Sequence, residues 1–464
     1  MNFADFIFWQ LLGSCFLLWI TLRTFWKYLG WAWRPEVDRV LLLGTSLFLL
    51  GATGWKTLGI FIYVASATYF FLWAAQSFRW PARIVLPVLV PLQVAPLLYY
   101  KYGNFLGNEI LGLDWPWLIN VGIPIGISFY TFQKISFVID TVHYRKPLPS
   151  LLDYGNYVSF FPQIVAGPIE RRQNLLPQVR AFSLKLDSRN WWEGVPWVVL
   201  GFFFKCGLAD NLAGSFPASH PANAYLIWYA NLLFAFRIYF DFAGYSLIAL
   251  GLARCLGVRL TLNFLAPYCA KTPAEFWHRW HVSLSQWFRD YLYIPLGGNK
   301  SGIWWANLLV VFVVSGIWHG AGWNFILWGL WHGLLLIGFR LLPASFPAAP
   351  GRILTLAAVI FSWLFFYETD VSVLRQKCES LFSLAAYGAE PFRELLAFWA
   401  KPEGTLSIVL LFLSLGVVLF EYQSLRKSSL PYEFFFRPWV LIGIILFTVW
   451  MAPGKTNAFI YFAF

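Results

Sequence analysis

Ser315-Gly316-Ile317-Trp318-His319-Gly320-Ala321-Gly322-Trp323-Asn324 lies inside a stretch, Gly302 to Phe339, that contains no Asp, Glu, Lys or Arg. Such a run is too long for one membrane-crossing helix, which needs only ~20 apolar residues. It divides into two spans, 303–319 and 321–339, at the glycines, with His319 at the junction. An ionisable imidazole at that depth is costly. It is either a functional group or a histidine satisfied by a backbone carbonyl between packed helices, and the sequence here admits both.

The whole chain fits a membrane reading. Its 464 residues are 59% hydrophobic, 21% aromatic and 12% charged, with a mean hydropathy of +0.61, whereas a soluble domain carries about 25% charged residues. The net charge of +12 needs no nucleic acid to explain it. Basic loops on the cytoplasmic side and an anionic leaflet account for such a balance. The 27 Trp and 22 Tyr supply material for interfacial belts. Cys15, Cys206, Cys255, Cys269 and Cys378 are scattered without CxxC spacing, so neither a metal site nor a disulfide framework is expected. The first span, 6–22, follows Asp5 rather than a basic leader and is expected to remain as an anchor.

Spans are expected at 6–22, 40–54, 58–78, 84–100, 117–140, 191–209, 224–252, 303–319, 321–339, 352–367, 405–420 and 438–452, some of them re-entrant. Arg23, Lys27, Arg34 and Arg39 mark a cytoplasmic loop, and counting onward puts Arg79, Arg83, Arg145, Lys146, Arg171, Arg172, Arg180, Lys185, Arg189, Arg254, Arg259 and Lys271 on the same face. The N-terminus then lies outside, as does the mixed-charge segment 370–403, read as amphipathic surface helices. With no fixed-period repeat, residues 1–464 read as one integral-membrane domain.

Two stretches depart from simple spans. Phe160 to Ile169 is apolar but short, with Pro162, Gly167 and Pro168, and reads as a re-entrant element of the kind tolerated only inside protein or beside a cavity. Lys271 to Lys300 mixes charge with Trp277, Trp280, Leu284, Trp287 and Phe288 at helical spacing, which predicts an interfacial amphipathic helix. Among the histidines, His143 and His220 fall in solvated loops and His278 on a charged face, while His332 suits a helix–helix hydrogen bond. Asp241, four residues after Arg237, predicts an ion pair on one helix face. HExxH, GxSxG and Walker-type loops are absent, which disfavours zinc proteases, serine hydrolases of that type and P-loop ATPases.

Four segments in order, IPIGISFYTFQ (123–133), FPQIVAGPIERR (161–172), RWHVSLSQWFRDYLYIPLGGN (279–299) and SGIWHGAGWNFILWGLWHG (315–333), resemble the membrane-bound O-acyltransferase (MBOAT) family, in particular its bacterial alginate O-acetyltransferase branch. The resemblance covers about 100–340. It implies an all-α polytopic fold, a ring of about 10–12 tilted transmembrane and re-entrant helices around a central tunnel. It also implies that His281 and His319 are the catalytic pair, His319 being the essential one. An imidazole suits this task, because acyl transfer to a hydroxyl needs a base whose pKa lies near working pH, together with donors for the oxyanion.

Arg279, Arg289, Asp290 and Asn324, within the two histidine segments, are the expected substrate contacts, and Arg279, Arg289 and Lys300 would attract an anionic thioester donor. Their alternative role is topological. No cofactor is expected beyond acetyl-CoA or another acyl thioester as donor. The resemblance implies O-acetylation of an exported polysaccharide such as alginate from the bacterial cytoplasmic (inner) membrane, with an extracytoplasmic acetyl-handling partner. D-alanyl or other acyl transfer to an envelope polymer is the alternative within the class, and a proton-coupled transporter the alternative outside it. Against the transporter stands the lack of a discontinuous helix pair repeated in two halves.

Overall fold

The computed structural model describes residues 3–460 apart from 114–121, 166, 186, 219, 344–345, 429, 454–456 and 458. Among the described residues there are helices and no strand. Eight of the helices are long and apolar enough to cross a membrane, and the shorter Trp304–His319 and Pro438–Met451 are apolar as well. Large apolar side chains stand exposed along them, such as Leu17 on the first and Phe412 near the end of the chain, as lipid-facing surfaces require. The chain is thus an all-α polytopic membrane protein. The span expected at 117–140 is helical from Ile127 to His143, while 117–121 lies outside the described residues.

The chain forms two compact units, Met1–Val198 with Ser246–Thr261, and Val199–Tyr245 with Leu262–Phe464. The first holds α1 (Phe6–Tyr28), α2 (Pro35–Gly51), α3 (Trp55–Ser77), α4 (Ala82–Leu97), α5 (Ile127–His143), α6 (Leu151–Ser159), α7 (Phe161–Ile164), α8 (Arg172–Arg180) and the beginning of α9 (Ser188–Phe202). Pro87, Pro91 and Pro96 lie inside α4, which continues as π-helical turns. Each proline removes an internal hydrogen bond.

Within this unit the two N-terminal motifs meet. Gly126 has φ 77, and a Cβ there would stand 2.8 Å from the Ile164 carbonyl, so both the conformation and the close approach call for glycine. The Gln133 amide donates to the Tyr157 carbonyl at 2.9 Å, and the Tyr157 hydroxyl to the Glu170 carbonyl at 3.0 Å. Burial pushes the Glu170 carboxyl above its ordinary range, and it accepts the Thr261 amide at 2.5 Å. Phe161–Ile164 is a buried one-turn helix and not a span, in keeping with Pro162 inside it and Gly167-Pro168 just after it.

The second unit continues α9 and adds α10 (Asp210–Ala213), most of α11 (Ala224–Cys255), α12 (Pro273–Arg279), α13 (Val282–Phe288), α14 (Trp304–His319), α15 (Trp323–Leu341), α16 (Ala348–Tyr367), α17 (Val371–Leu381), α18 (Ala389–Trp399), α19 (Pro402–Lys427) and α20 (Pro438–Met451). Glycines weld α14 to α15. A Cβ on Gly316 would come within 2.2 Å of the Phe325 carbonyl, and one on Gly329 within 2.3 Å of the Phe312 carbonyl. Small residues let apolar helices approach closely where lipid offers no competing hydrophobic drive. His332 bonds across to α16 through Nε2 and the Ser362 Oγ, 3.0 Å apart, the helix–helix role expected of it.

Two expectations fail here. Asp241 does not pair with Arg237; its Oδ1 accepts from the Lys205 ammonium at 2.6 Å, and the same ammonium reaches the Asp210 Oδ1 at 2.8 Å. All three side chains are buried, where a carboxylate left without a partner would be strongly destabilising; the partner comes from another helix, while the Arg237 guanidinium carbon lies 5.7 Å from the Phe216 ring. Nor is Lys271–Lys300 one interfacial helix. It breaks into α12, α13, a π turn and a 3₁₀ turn, and its Trp277, Trp280, Leu284, Trp287 and Phe288 are buried in protein. The apolar stripe was real, but its partner is the interior of the unit.

Candidate active site

The break between α12 and α13 falls at His281, whose φ of 44 and ψ of 56 put it in the left-handed region. For a side chain with a Cβ this costs roughly 1–2 kcal/mol, so the surroundings must hold it. They do so through Asn263. Its carbonyl accepts the Val282 amide at 3.0 Å and its Oδ1 the Ser283 amide at 3.1 Å, while the His281 carbonyl caps α13 by accepting from Leu284 and Ser285. Asn263 is buried, and among the described residues its Nδ2 has no hydrogen-bond partner. Nothing in the sequence pattern distinguishes this asparagine, which acts only through a chain reversal 18 residues before the histidine it positions.

His319 is the last residue of α14, ahead of the Gly320–Gly322 turn that leads into α15. Sequence placed it at that junction, and the structure does the same. Trp318, Trp328 and Phe366 surround its ring edge to face, at centroid distances of 4.8, 4.8 and 5.1 Å. The His281 ring is 4.6 Å from Phe242 and 5.9 Å from Trp318. Trp318 therefore touches both imidazoles, each no more than 2% exposed. Phe459 completes the wall behind Phe242, 5.5 Å away.

Two cavities lie in the same unit, and neither is lined by His281 or His319 themselves. One of about 270 Å³ lies between α12–α13 and α14–α15, lined among others by the buried Val282 and Ser315, by Ser285 and Tyr293, and by the exposed His278 and Arg289. Ser315 is one turn before His319 and Val282 follows His281 directly. The second, about 420 Å³, shares His278 and Tyr293 with the first and extends to Asn299 and Arg340. Apolar walls with a few polar groups at one end are the usual build of a small-molecule site.

The other residues singled out in sequence occupy different stations. Arg289, half exposed, holds Asp290 at 2.7 Å and lines the first cavity. Arg279 is engaged by Glu275 at 2.8 Å and by the Leu265 carbonyl at 2.9 Å. Asn324 is buried and donates to the Phe365 carbonyl at 2.8 Å, tying α15 to α16. His278 is exposed, with Nδ1 2.6 Å from the Ala274 carbonyl. Ser315 and Lys205 were missed in sequence. A lone lysine in Phe202-Phe203-Phe204-Lys205-Cys206, five residues before an aspartate, was a local signal for its pair with Asp210 but not for the one with Asp241.

Comparison with known proteins adds independent findings. The MBOAT, membrane-bound O-acyltransferase family, matches residues 2–374. The probable alginate O-acetylase AlgI of Pseudomonas aeruginosa is 35% identical over 388 residues, 78% of this chain and 69% of that protein. The probable alginate O-acetylase AlgI of Azotobacter vinelandii is 36% identical over 379 residues, 75% of this chain and 74% of its own. A peptidoglycan O-acetyltransferase of Helicobacter pylori is 31% identical over 394 residues, 75% of each chain.

Proposed function

This chain belongs to the membrane-bound O-acyltransferase family, and we propose that it moves an acetyl group from a cytoplasmic thioester to a hydroxyl serving an exported polysaccharide such as alginate. It is a membrane acyltransferase; the donor, the acceptor and the residue roles are our reading. The observation that carries the reading is the buried histidine pair against one tryptophan, a pair whose chain neighbours Val282 and Ser315 line a mostly apolar cavity together with His278 and Arg289.

In this reading His319 takes the proton from the acceptor hydroxyl as its oxygen attacks the thioester carbonyl. The C–O bond forms, the negative charge settles on the former carbonyl oxygen, and His281 donates to that oxyanion. Collapse breaks the C–S bond, and the thiolate leaves with the proton held by His319. The aromatic enclosure keeps water from competing for the acyl group. Arg289, with Asp290, and the Arg340 end of the second cavity receive the anionic part of the donor, while Arg279 and Asn324 hold the substrate-bearing segments in place. The protein resides in the bacterial inner membrane, and an extracytoplasmic partner accepts the acetyl group and passes it to the polymer.

The donor is tested with purified protein and a radiolabelled thioester. Acetyl-CoA or an acetylated carrier protein should give label on the added polysaccharide or partner with release of one free thiol per transfer. Turnover of a D-alanyl carrier thioester instead, with none from acetyl donors, would replace acetyl transfer by D-alanyl transfer.

A further inference from the structure

Helices α3 and α5 of the first unit end in the same way. Past the end of α3 the Arg79 amide returns to the Gln76 carbonyl and the Trp80 amide to the Ala75 carbonyl; past α5 the Arg145 amide returns to Val142 and the Lys146 amide to Thr141. This is the Schellman closure, which requires a left-handed residue just beyond the helix and therefore favours glycine. The closures of α1 and α11 follow the same bonding pattern and do carry glycine, Gly30 at φ 70 and Gly257 at φ 79. At α3 and α5 the position is arginine, Arg79 at φ 55 and Arg145 at φ 49. The chain thus accepts an avoidable backbone cost twice, and in both places it gains a guanidinium.

Both arginines line a cavity of about 700 Å³, and Lys146 and His143 line it with them. Its floor is apolar, with Leu72 and Val85 buried. Among the described residues no carboxylate lines it, and neither Arg79, Arg145 nor Lys146 has an ion-pair partner. Gln76 pins the two helix ends together, donating to the Lys146 carbonyl at 2.8 Å and accepting from the Leu148 amide at 3.1 Å. Strain retained at a position that glycine would relieve points to function. We propose that this cavity binds the phosphate ester of an anionic phospholipid, with its headgroup between Arg79, Arg145 and Lys146 and its glycerol end over the Leu72–Val85 floor. The concentration of basic residues at these helix ends marks the cytoplasmic leaflet, where basic pockets between membrane helices take anionic headgroups. A soluble phosphate ester, such as the nucleotide end of CoA, shares the recognised chemistry, but it would have no use for an apolar floor.

The test uses the full chain in a neutral detergent, with phosphatidylglycerol or phosphatidylcholine added and retained lipid counted by native mass spectrometry. The variant is Arg79→Asn, Arg145→Asn and Lys146→Gln together, asparagine being chosen because it tolerates the left-handed region. Thermal unfolding in phosphatidylcholine alone reports whether the variant is folded. Wild type should retain phosphatidylglycerol over phosphatidylcholine, and the folded variant should lose affinity for it by roughly a hundredfold, about fivefold for each basic group removed. If the triple variant does not fold, the same loss should appear, at about fivefold, in Lys146→Gln alone. Displacement of the lipid by CoA would reassign the phosphate to a soluble donor and overturn the lipid assignment. Equal retention of both lipids by wild type, or of phosphatidylglycerol by wild type and folded variant, would overturn the site itself.

Discussion

Folded His319→Ala protein is expected to transfer acetyl at least a hundredfold more slowly than wild type, because removing a general base costs ~10²–10⁴ in rate. The ring it removes stands at the end of α14, among Trp318, Trp328 and Phe366, and a cavity left there could loosen the packing of the site. His319→Gln serves as the bulkier companion, filling most of the space but offering no base. Both variants should enter the membrane and elute as wild type does, since the glycine contacts between α14 and α15 are untouched. Retention of more than a tenth of wild-type turnover by folded His319→Gln would end the assignment of His319 as base.

His281 should matter through its ring, and the left-handed backbone makes that separable. His281→Ala removes the donor proposed for the oxyanion, worth about 10²–10³ in rate, but alanine is also strained at φ 44. His281→Asn keeps the backbone, as asparagine tolerates that region, and retains an amide donor without a titratable ring. The expected order is wild type, then Asn, then Ala, with Asn folded to wild-type thermal stability and still at least tenfold slower in transfer, a loss on the scale of one displaced catalytic donor. Wild-type rates from folded Ala and Asn variants would leave His281 a structural residue whose function is to break α12 from α13.

Most of the membrane spans could be read from composition because hydropathy is local, and the charge-free run around His319 gave both the two helices and their junction. The spans expected at 40–54 and 117–140 fall on Pro35–Gly51 and Ile127–His143, which are not among the helices long and apolar enough to cross. His332, in the same run, was correctly read as a helix–helix hydrogen bond. What stayed hidden depended on which segments meet. Asp241 had an arginine at helical spacing, yet Lys205 from a different helix claimed it. The Lys271–Lys300 stripe looked interfacial because periodicity reports an apolar face without saying whether lipid or protein covers it. Asn263 holds the His281 turn by two bonds across a chain reversal, and no spacing rule finds such a pair. The arginines at 79 and 145 gave only a topological signal until the backbone showed them in the position of glycine.

In the proposed reaction one buried site passes an acyl group between membrane faces, and sided reconstitution decides whether it does. Liposomes bearing the protein in one orientation would carry labelled acetyl thioester on the face of the Arg254–Lys300 segment, with acceptor polymer and extracytoplasmic partner on the other. Label should appear on the acceptor side, dependent on His319, while the thioester's thiol stays where it began. Transfer only when donor and acceptor share a face, or crossing of the intact thioester, would contradict it.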